Sequence, residues 1–232
     1  MQLLRLSIII PCLNEAEEIG ATLDACNAAC NRDTEVIVVD GGSSDGTVEI
    51  ARNRADVVVS APRGRASQMN AGARHARGDV LLFLHADSRL PAGADTLVLE
   101  GLAATGKRWG RFDVTISGRH PLLPVIAAFM NRRSRWTRIA TGDQALFVTC
   151  DLFESAGHFP ELPLMEDIAL TTILARDGGP LCFRQRVTTS GRRWEKHGVL
   201  KTILLMWRLR LAYCCGIDPN ELARRYASHR QS

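Results

Sequence analysis

The chain has 232 residues, 46% apolar and 23% charged, with a net charge of +4, an ordinary globular balance at a length that buries a core as one large domain without staples. The opening MQLLRLSIII is too short before Pro11 for a signal peptide, and no run of 18 uncharged apolar residues occurs, which argues against export and against a conventional membrane span. The seven cysteines are odd in number and form no Cys-x-x-Cys pair, so they read as reduced, mostly buried thiols of a cytoplasmic protein, and no structural zinc site is expected. Sixteen of the 29 basic residues fall between Lys107 and Arg138 or between Arg184 and Arg210, where Asp113 and Glu195 are the acids. Such clustering points to an anionic partner (phosphate, nucleic acid or an acidic membrane surface) or to a solvated basic face.

Leu6 to Ile10 is a short β-branched strand, stopped by Pro11 because proline cannot donate to a ladder. Asn14 follows as an N-cap, with Glu15, Glu17 and Glu18 in the first turn of a helix whose apolar stripe is Ile19, Leu23, Cys26 and Cys30. Glu35 to Asp40 is a second buried strand, ending in the turn GGSSDGT of residues 41–47 before another helix. Val57 to Val59 makes a third strand, and Ala66 to Ala76 a helix leading through Gly78 into the apolar run Val80 to Leu84. That run reads as a central parallel strand, and the turn after it carries His85 and Asp87. Strands alternating with helices at these spacings give a parallel sheet with right-handed crossovers, whose ligand crevice lies outside the strand carboxyl ends. A His-x-Asp there is able to hold a divalent cation while substrate phosphates complete its shell; equally, Asp87 caps a helix and His85 is a loop residue.

Further on, Trp109 to Ile116 alternates as a strand, and Pro121 to Met130 is a short apolar segment running into Arg132, Arg133, Arg135, Trp136 and Arg138. It is either a helix packed on the core with a solvated basic end or a surface that grips an acceptor or touches a membrane. Gly142, Asp143 and Gln144 precede a strand, Ala145 to Thr149, which puts both polar side chains at a strand edge facing the crevice. Glu166 and Asp167 then open an apolar helix, as caps favoured by its dipole or as a general base with a helper. Val199 to Tyr213 reads as a helix with Leu200, Ile203, Leu204, Trp207 and Leu211 in one stripe, docked on the core or lying in an interface.

The glycine-rich turn lacks the spacing of a dinucleotide fingerprint, and no G-x-x-x-x-G-K-[ST] occurs, so nicotinamide binding and a P-loop are set aside. The blocks PCLNE at residues 11–15, VVDGGSSDGT at 38–47, Arg65 to Gly72, and Gly78-Asp-x5-His85-Ala-Asp87 resemble the nucleotide-binding half of family-2 glycosyltransferases of the GT-A fold. The resemblance continues at Thr141 to Gln144, at Met165-Glu166-Asp167 and at Arg192-Arg193-Trp194, and the nearest subgroup is the small bacterial transferases associated with radical-SAM and selenodomain proteins.

What this implies is an α/β, Rossmann-like, mostly parallel sheet flanked by helices. It would form one domain with a nucleotide-binding half at about 1–105, an acceptor half at about 106–198 and a C-terminal helical extension at about 199–232. The implied reaction is metal-dependent, inverting transfer of a sugar from a nucleotide-diphosphate donor, expected to be UDP-linked, to an acceptor that is unknown, lipid-linked or at a membrane surface. No nucleic acid partner is implied, and the site of action is cytoplasmic or peripheral at the inner membrane face.

By the same resemblance Pro11, Asn14 and Glu15 line the base and ribose, Asp40 accepts the base N–H, Asp45 braces the turn, and Arg65 and Arg193 lie near the diphosphate. Gly142, Asp143 and Gln144 belong to the donor site, and Trp194 stacks on an acceptor ring. Asp87 ligates Mn2+ or Mg2+, and His85 stands where the family's motif has its first Asp, so it either ligates or touches ribose. His197 is a further candidate for the metal shell, Asp167 is the base, and Glu166 positions it. The glutamine of the Gln-x-x-Arg-Trp signature is Thr189 here, so processivity is not implied. Two other functions fit a similar sheet: a sugar nucleotidyltransferase, disfavoured because PCLNE is acidic where a triphosphate needs cations, and a non-catalytic nucleotide-sugar sensor.

Overall fold

The computed structural model describes residues 5–31 and 33–231, the side chains of Arg193, His197 and residues 227–231 excepted. Its frame is one sheet of eight strands: β1 (Leu6–Cys12), β2 (Glu35–Asp40), β3 (Val57–Ser60), β4 (Val80–Phe83), β5 (Ser88–Arg89), β6 (Trp109–Ser117), β7 (Leu146–Thr149) and β8 (Leu181–Ser190). The order is β3-β2-β1-β4-β7-β6-β8-β5. The four strands β3, β2, β1 and β4 run parallel, β7 is antiparallel to both β4 and β6, and β8 returns parallel to β6. Alternate residues of each strand enter different cores: Ile8, Ile10, Val36, Val38 and Leu82 on one face, Ile9, Ile37, Val39, Leu81 and Phe83 on the other. Burial on both faces is why these strands read as unbroken apolar runs.

The helices are α1 (Ile19–Ala29), α2 (Thr47–Arg52), α3 (Arg65–His75), α4 (Ala94–Thr105), α5 (Leu123–Thr137), α6 (Cys150–Ser155), α7 (Glu166–Asp177), α8 (Arg192–His197), α9 (Val199–Cys214) and α10 (Pro219–Gln231), with a 3-10 turn at Gly142–Gln144. Close helix–sheet approach is built in by glycine: a Cβ on Gly72 of α3 would meet Ile9 at 2.4 Å. A third, smaller cluster joins Met165 and Ile168 at the start of α7 to Leu209 of α9 and Leu222 of α10.

Several details depart from the sequence reading. Pro11 does not stop β1, because β1–β4 pairing has already ended at Ile9–Phe83 while Pro11 and Cys12 still pair with Val39 and Asp40. Residues 15–18 form a turn before α1, closed by Ile19 N–H donating to Glu15 O, and Asn14 is not its cap but lies at φ 53°. Most of the apolar segment at 121–130 and Arg132, Arg133 and Arg135 after it form one helix, α5, which ends before Arg138. Strand β8 and helix α4 went unread; β8 carries Arg184, Gln185 and Arg186 outward, which breaks its apolar pattern and blunts a mostly unpaired edge. All seven cysteines are free, and only Cys12 and Cys26 are buried; Cys214 and Cys215 are exposed, against the expectation of mostly buried thiols. Among the described residues no helix is long and apolar enough to cross a membrane.

Candidate functional site

At the carboxyl ends of β1 and β2 the loops of residues 13–18 and 41–47 lock together. Asp40, 5% exposed, accepts the N–H groups of Gly42 at 3.0 Å and Ser43 at 3.1 Å. Asn14 N–H donates to Ser43 Oγ at 2.9 Å while its Oδ1 accepts Ser44 N–H at 2.8 Å, a pairing that the left-handed backbone at Asn14 permits. Asp45 accepts Thr47 N–H at 3.0 Å and Ala16 N–H at 3.2 Å, and Thr47 Oγ1 accepts Glu15 N–H at 2.8 Å. Beneath this, Gln68 Nε2 donates to Cys12 O and Val39 O at 2.8 and 2.7 Å, tying both strand ends to α3. Burial beside Asp40 pushes the Cys12 thiol up to about 12, which makes it an inert part of this floor.

Glu15 reaches across the crevice to Arg192, whose guanidinium lies 3.1 Å from Glu15, 3.4 Å from Glu17 and 3.5 Å from Glu18. Burial raises the Glu15 carboxyl, Arg192 opposes the shift, and Asp87 adds to it, so the carboxylates of 15 and 87 feel one another. Sequence reasoning named Arg192 without a role; three glutamates at 15, 17 and 18 with no base beside them were the available signal.

The second corner collects segments far apart in the chain. His85, just past β4, sets Nδ1 3.2 Å from Asp143 Oδ1, and its Nε2 faces Gly142, where an added Cβ would come within 2.3 Å. Gly142 is thus a site requirement: any side chain would displace the imidazole. Gly142 N–H donates to Asp167 Oδ2 at 2.9 Å, and Asp167 Oδ1 accepts Ile168 N–H at 2.7 Å. Glu166 is buried at 4% exposure, with Arg65 Nη1 at 3.9 Å from Oε1. Burial first, and Asp167 next, raise the Glu166 carboxyl; Arg65 and His85 pull the other way. Met165, just before, is buried with φ 70°, and Ala145, just after the 3-10 turn, has φ 46°, so two residues with side chains hold left-handed backbone beside this corner.

Gln144 differs from expectation. It is fully buried, its Oε1 accepts Thr141 N–H at 3.3 Å in a capping box, and its Nε2 lies 3.4 Å from Asn131 Oδ1. The 3-10 turn rotates it away from the crevice while Asp143 stays at the edge. Trp194 is partly buried against the main core. The side chains of Arg193 and His197 lie outside the described residues. Arg133 of α5, read from sequence only as part of a basic run, has Nε and Nη2 buried with no hydrogen-bond partner among the described residues. Burial lowers its pKa, and Asp167 and Asp143 act against that.

The described residues contain no cluster of three or more His, Cys, Asp and Glu able to cage a metal. Asp87, half-buried and touched by Ser88 Oγ at 3.4 Å, instead fits the mode in which Mn2+ or Mg2+ takes one or two carboxylates and completes its shell with water and substrate phosphate.

The family model for glycosyl transferase family 2 matches residues 7–159. The glycosyltransferase AglE of Haloferax volcanii is 30% identical over 171 residues, 66% of this chain and 55% of that protein. The undecaprenyl-phosphate 4-deoxy-4-formamido-L-arabinose transferase of Edwardsiella ictaluri is 33% identical over 96 residues, 37% of this chain and 30% of that one. This chain therefore spans about half or less of these curated relatives. Among solved structures, the mannosyltransferase PcManGT from Pyrobaculum calidifontis in complex with GDP-Man and Mn2+ superposes with a TM-score of 0.64 at 23% identity, over 91% of this chain and 61% of that one. S. aureus TarS in complex with UDP-GlcNAc gives 0.62 at 19% identity, over 80% and 58%. These likenesses establish the fold, an open, mostly parallel α/β sheet of the GT-A type.

Proposed function

The chain belongs to glycosyl transferase family 2, and from that premise we propose that it moves a sugar, with inversion, from a nucleotide-diphosphate donor, UDP-linked in the first instance, to a lipid-linked acceptor. One observation carries the reading: residues 65, 85, 142–143 and 166–167 meet at one corner, with each oxygen of the Asp167 carboxylate aimed by a backbone N–H. In this reading Asp167 takes the acceptor's proton as the acceptor oxygen bonds the anomeric carbon and the bond to the diphosphate breaks. Its two N–H partners orient it, and Glu166 fixes the backbone turn and the charge around it. A retaining route would need a second nucleophilic carboxylate on the other sugar face.

On the donor side, Asn14, Glu15 and Asp40 would receive base and ribose; Asp40 keeps lone pairs beyond the two loop N–H groups it accepts. Arg65 and Arg193 would face the diphosphate, with Trp194 at the acceptor side. Asp87 would hold a divalent cation, which when bound supplies charge stabilisation to the departing diphosphate. His85, with both ring nitrogens against 142–143, positions that segment. The UDP, UDP-GlcNAc and GDP-Man complexes of the fold neighbours support the donor class, and the undecaprenyl-phosphate relatives support a lipid-linked acceptor.

The test is a thermal-shift screen of nucleoside diphosphates and nucleotide sugars with and without Mn2+, followed by donor turnover on a polyprenyl phosphate. Metal-dependent stabilisation by one nucleotide class, with release of the nucleoside diphosphate, is expected. Release of pyrophosphate from a sugar phosphate and a nucleoside triphosphate would replace the reading with nucleotidyl transfer. Binding without turnover would leave a sensor.

A further inference from the structure

Helix α5 packs Leu123 and Ala127 on the main core in its first half and turns polar groups inward in its second. Its buried positions include Asn131 and Ser134; Asn131 pairs its amide with Val114 on β6, donating to Val114 O at 3.0 Å and accepting Val114 N–H at 2.8 Å. Fully buried Arg111 of β6 donates to Asn131 O at 3.1 Å and pairs with Asp113, which also binds Arg135 at 2.9 Å. Outward, in contrast, α5 shows Val125, Phe129 and Trp136, at 59%, 62% and 79% exposure.

Helix α9 likewise leaves an apolar stripe outward. Its inner face gives Leu209 to the small cluster with Met165 and Ile168, while Leu200, Leu204, Trp207 and Leu211, at i, i+4, i+7 and i+11, are each at least 60% exposed. The two faces touch through Phe129 and Trp207, whose ring centroids are 6.3 Å apart. These seven are the large exposed hydrophobic residues found among the described ones, and all of them sit on these two helices. Neither helix contains an acidic residue: α5 has Arg132, Arg133 and Arg135, α9 has Lys201, Arg208 and Arg210, and Arg132, Lys201 and Arg208 are exposed beside the apolar stripe.

A contiguous patch of Trp, Phe and Leu on one side of two adjacent helices, rimmed by cations and free of carboxylates, has the chemistry of a surface that lies in the headgroup region of an anionic bilayer. We propose that the outer face of α5 and α9 is a membrane-docking surface for anionic phospholipid. Charge selects this occupant: a second copy of the chain would bring its own exposed Arg132, Lys201 and Arg208 against these three with no acid on either helix between them. Helix α9 packs Leu209 against Met165 and Ile168, which flank Glu166 and Asp167, and α5 meets the 3-10 turn where Asn131 Oδ1 lies 3.4 Å from Gln144 Nε2, so docking brings the second corner close to the bilayer. This deepens the reading above by giving a lipid-borne acceptor a route to Asp167, but the surface is testable without it.

The experiment is co-sedimentation of the whole chain with vesicles of phosphatidylcholine alone and with part of it replaced by phosphatidylglycerol, alongside Leu204→Glu/Trp207→Glu and Lys201→Glu/Arg208→Glu. Wild type should bind the anionic vesicles, weakly bind the neutral ones, and bind less as salt rises. The apolar pair of substitutions should weaken partitioning by about tenfold or more, and the charge reversals should abolish the preference for phosphatidylglycerol. Thermal shift with nucleoside diphosphate should be unchanged in both variants, since none of the four residues is in the donor site and all are exposed. No binding of wild type to anionic vesicles, or equal binding by the apolar variant, overturns the proposal. A stable dimer in solution that the apolar variant dissociates, with no vesicle binding, gives the face to a second copy. Vesicle binding without any glycosyl transfer would instead sink the proposed function and leave this surface standing.

Discussion

The two corners of the crevice are held in opposite ways. At the strand ends of β1 and β2, polar groups are matched at short range: Asp40 with Gly42 and Ser43, Asn14 with Ser43 and Ser44, Asp45 with Thr47 and Ala16. At the start of α7 a buried glutamate has its nearest cation at 3.9 Å, an arginine has two nitrogens without a partner among the described residues, and Met165 and Ala145 hold left-handed backbone. The first corner spends local hydrogen bonds on rigidity, so it can present a fixed shape to a nucleotide. In the second, desolvated charge is kept in place by the surrounding fold, as expected where charge is to be used in chemistry.

The comparison breaks hardest at Asp87, which sits beside Glu15 and Arg192 two residues past His85 of the second corner. Asp87→Ala should leave the fold intact, because the residue is half-buried with one 3.4 Å contact, and should remove the metal-dependent part of nucleoside diphosphate binding entirely. Calorimetry with and without Mn2+ checks it; an unchanged response to metal in the variant removes Asp87 from the metal shell.

Next comes Asp167. Asp167→Asn keeps its size and an oxygen to accept from one N–H, so a merely capping residue would leave activity near normal. A base should cost turnover on the order of 10²-fold or more while donor affinity stays near wild type. If Glu166→Gln is the damaging change instead, the two carboxylates exchange roles.

Asp40 tests whether the rigid corner also reads the base. Asp40→Ala leaves two loop N–H groups without their acceptor, at about 1–3 kcal/mol, a loss that falls on all nucleotides alike. A base contact adds a difference: uridine diphosphate should lose about tenfold more affinity than adenosine diphosphate, the worth of one hydrogen bond. Equal losses would make Asp40 a loop brace and nothing more.

The two corners also differ in how readable they were. Strand runs such as EVIVVD and VLLFL are legible because burial on both faces removes alternation, and loops rich in Gly, Ser and Asp after them mark a ligand edge. What the sequence concealed was direction. Asn14 looked like a cap because its type caps helices, yet it spends its side chain on another loop 30 residues away. Gln144 looked outward because it precedes a strand, but a 3-10 turn inverted it. Arg133 and Arg192 were visible only as charge in a basic stretch; that one buries two of its nitrogens and the other clamps three glutamates depends on long-range packing. Strand β8 was lost to its outward Arg184 and Arg186.

The smallest expected effect is on stability, and it asks whether the second corner carries a cost at all. The ordinary Glu value is 4.5, and burial, with Asp167 next, raises Glu166 in the folded chain. The folded state then holds this proton more tightly than the unfolded one, so stability falls as pH rises from 4.5 through the raised value, and above it the full cost persists. Glu166→Gln keeps the shape and has no proton to lose. Against it stands the lost pair with Arg65, but that guanidinium is 47% exposed at 3.9 Å, and such pairs are worth little. The variant should therefore melt roughly 2–4 °C higher at neutral pH, the shift about 1 kcal/mol makes in a domain of this size, and its melting temperature should fall less as pH rises from 4.5 to neutral. Scanning calorimetry across that range decides it. A variant that melts lower would mean that Arg65 outweighs desolvation, that Glu166 is a structural anchor like Asp45, and that the contrast between the corners rests on Arg133 and the left-handed backbone alone.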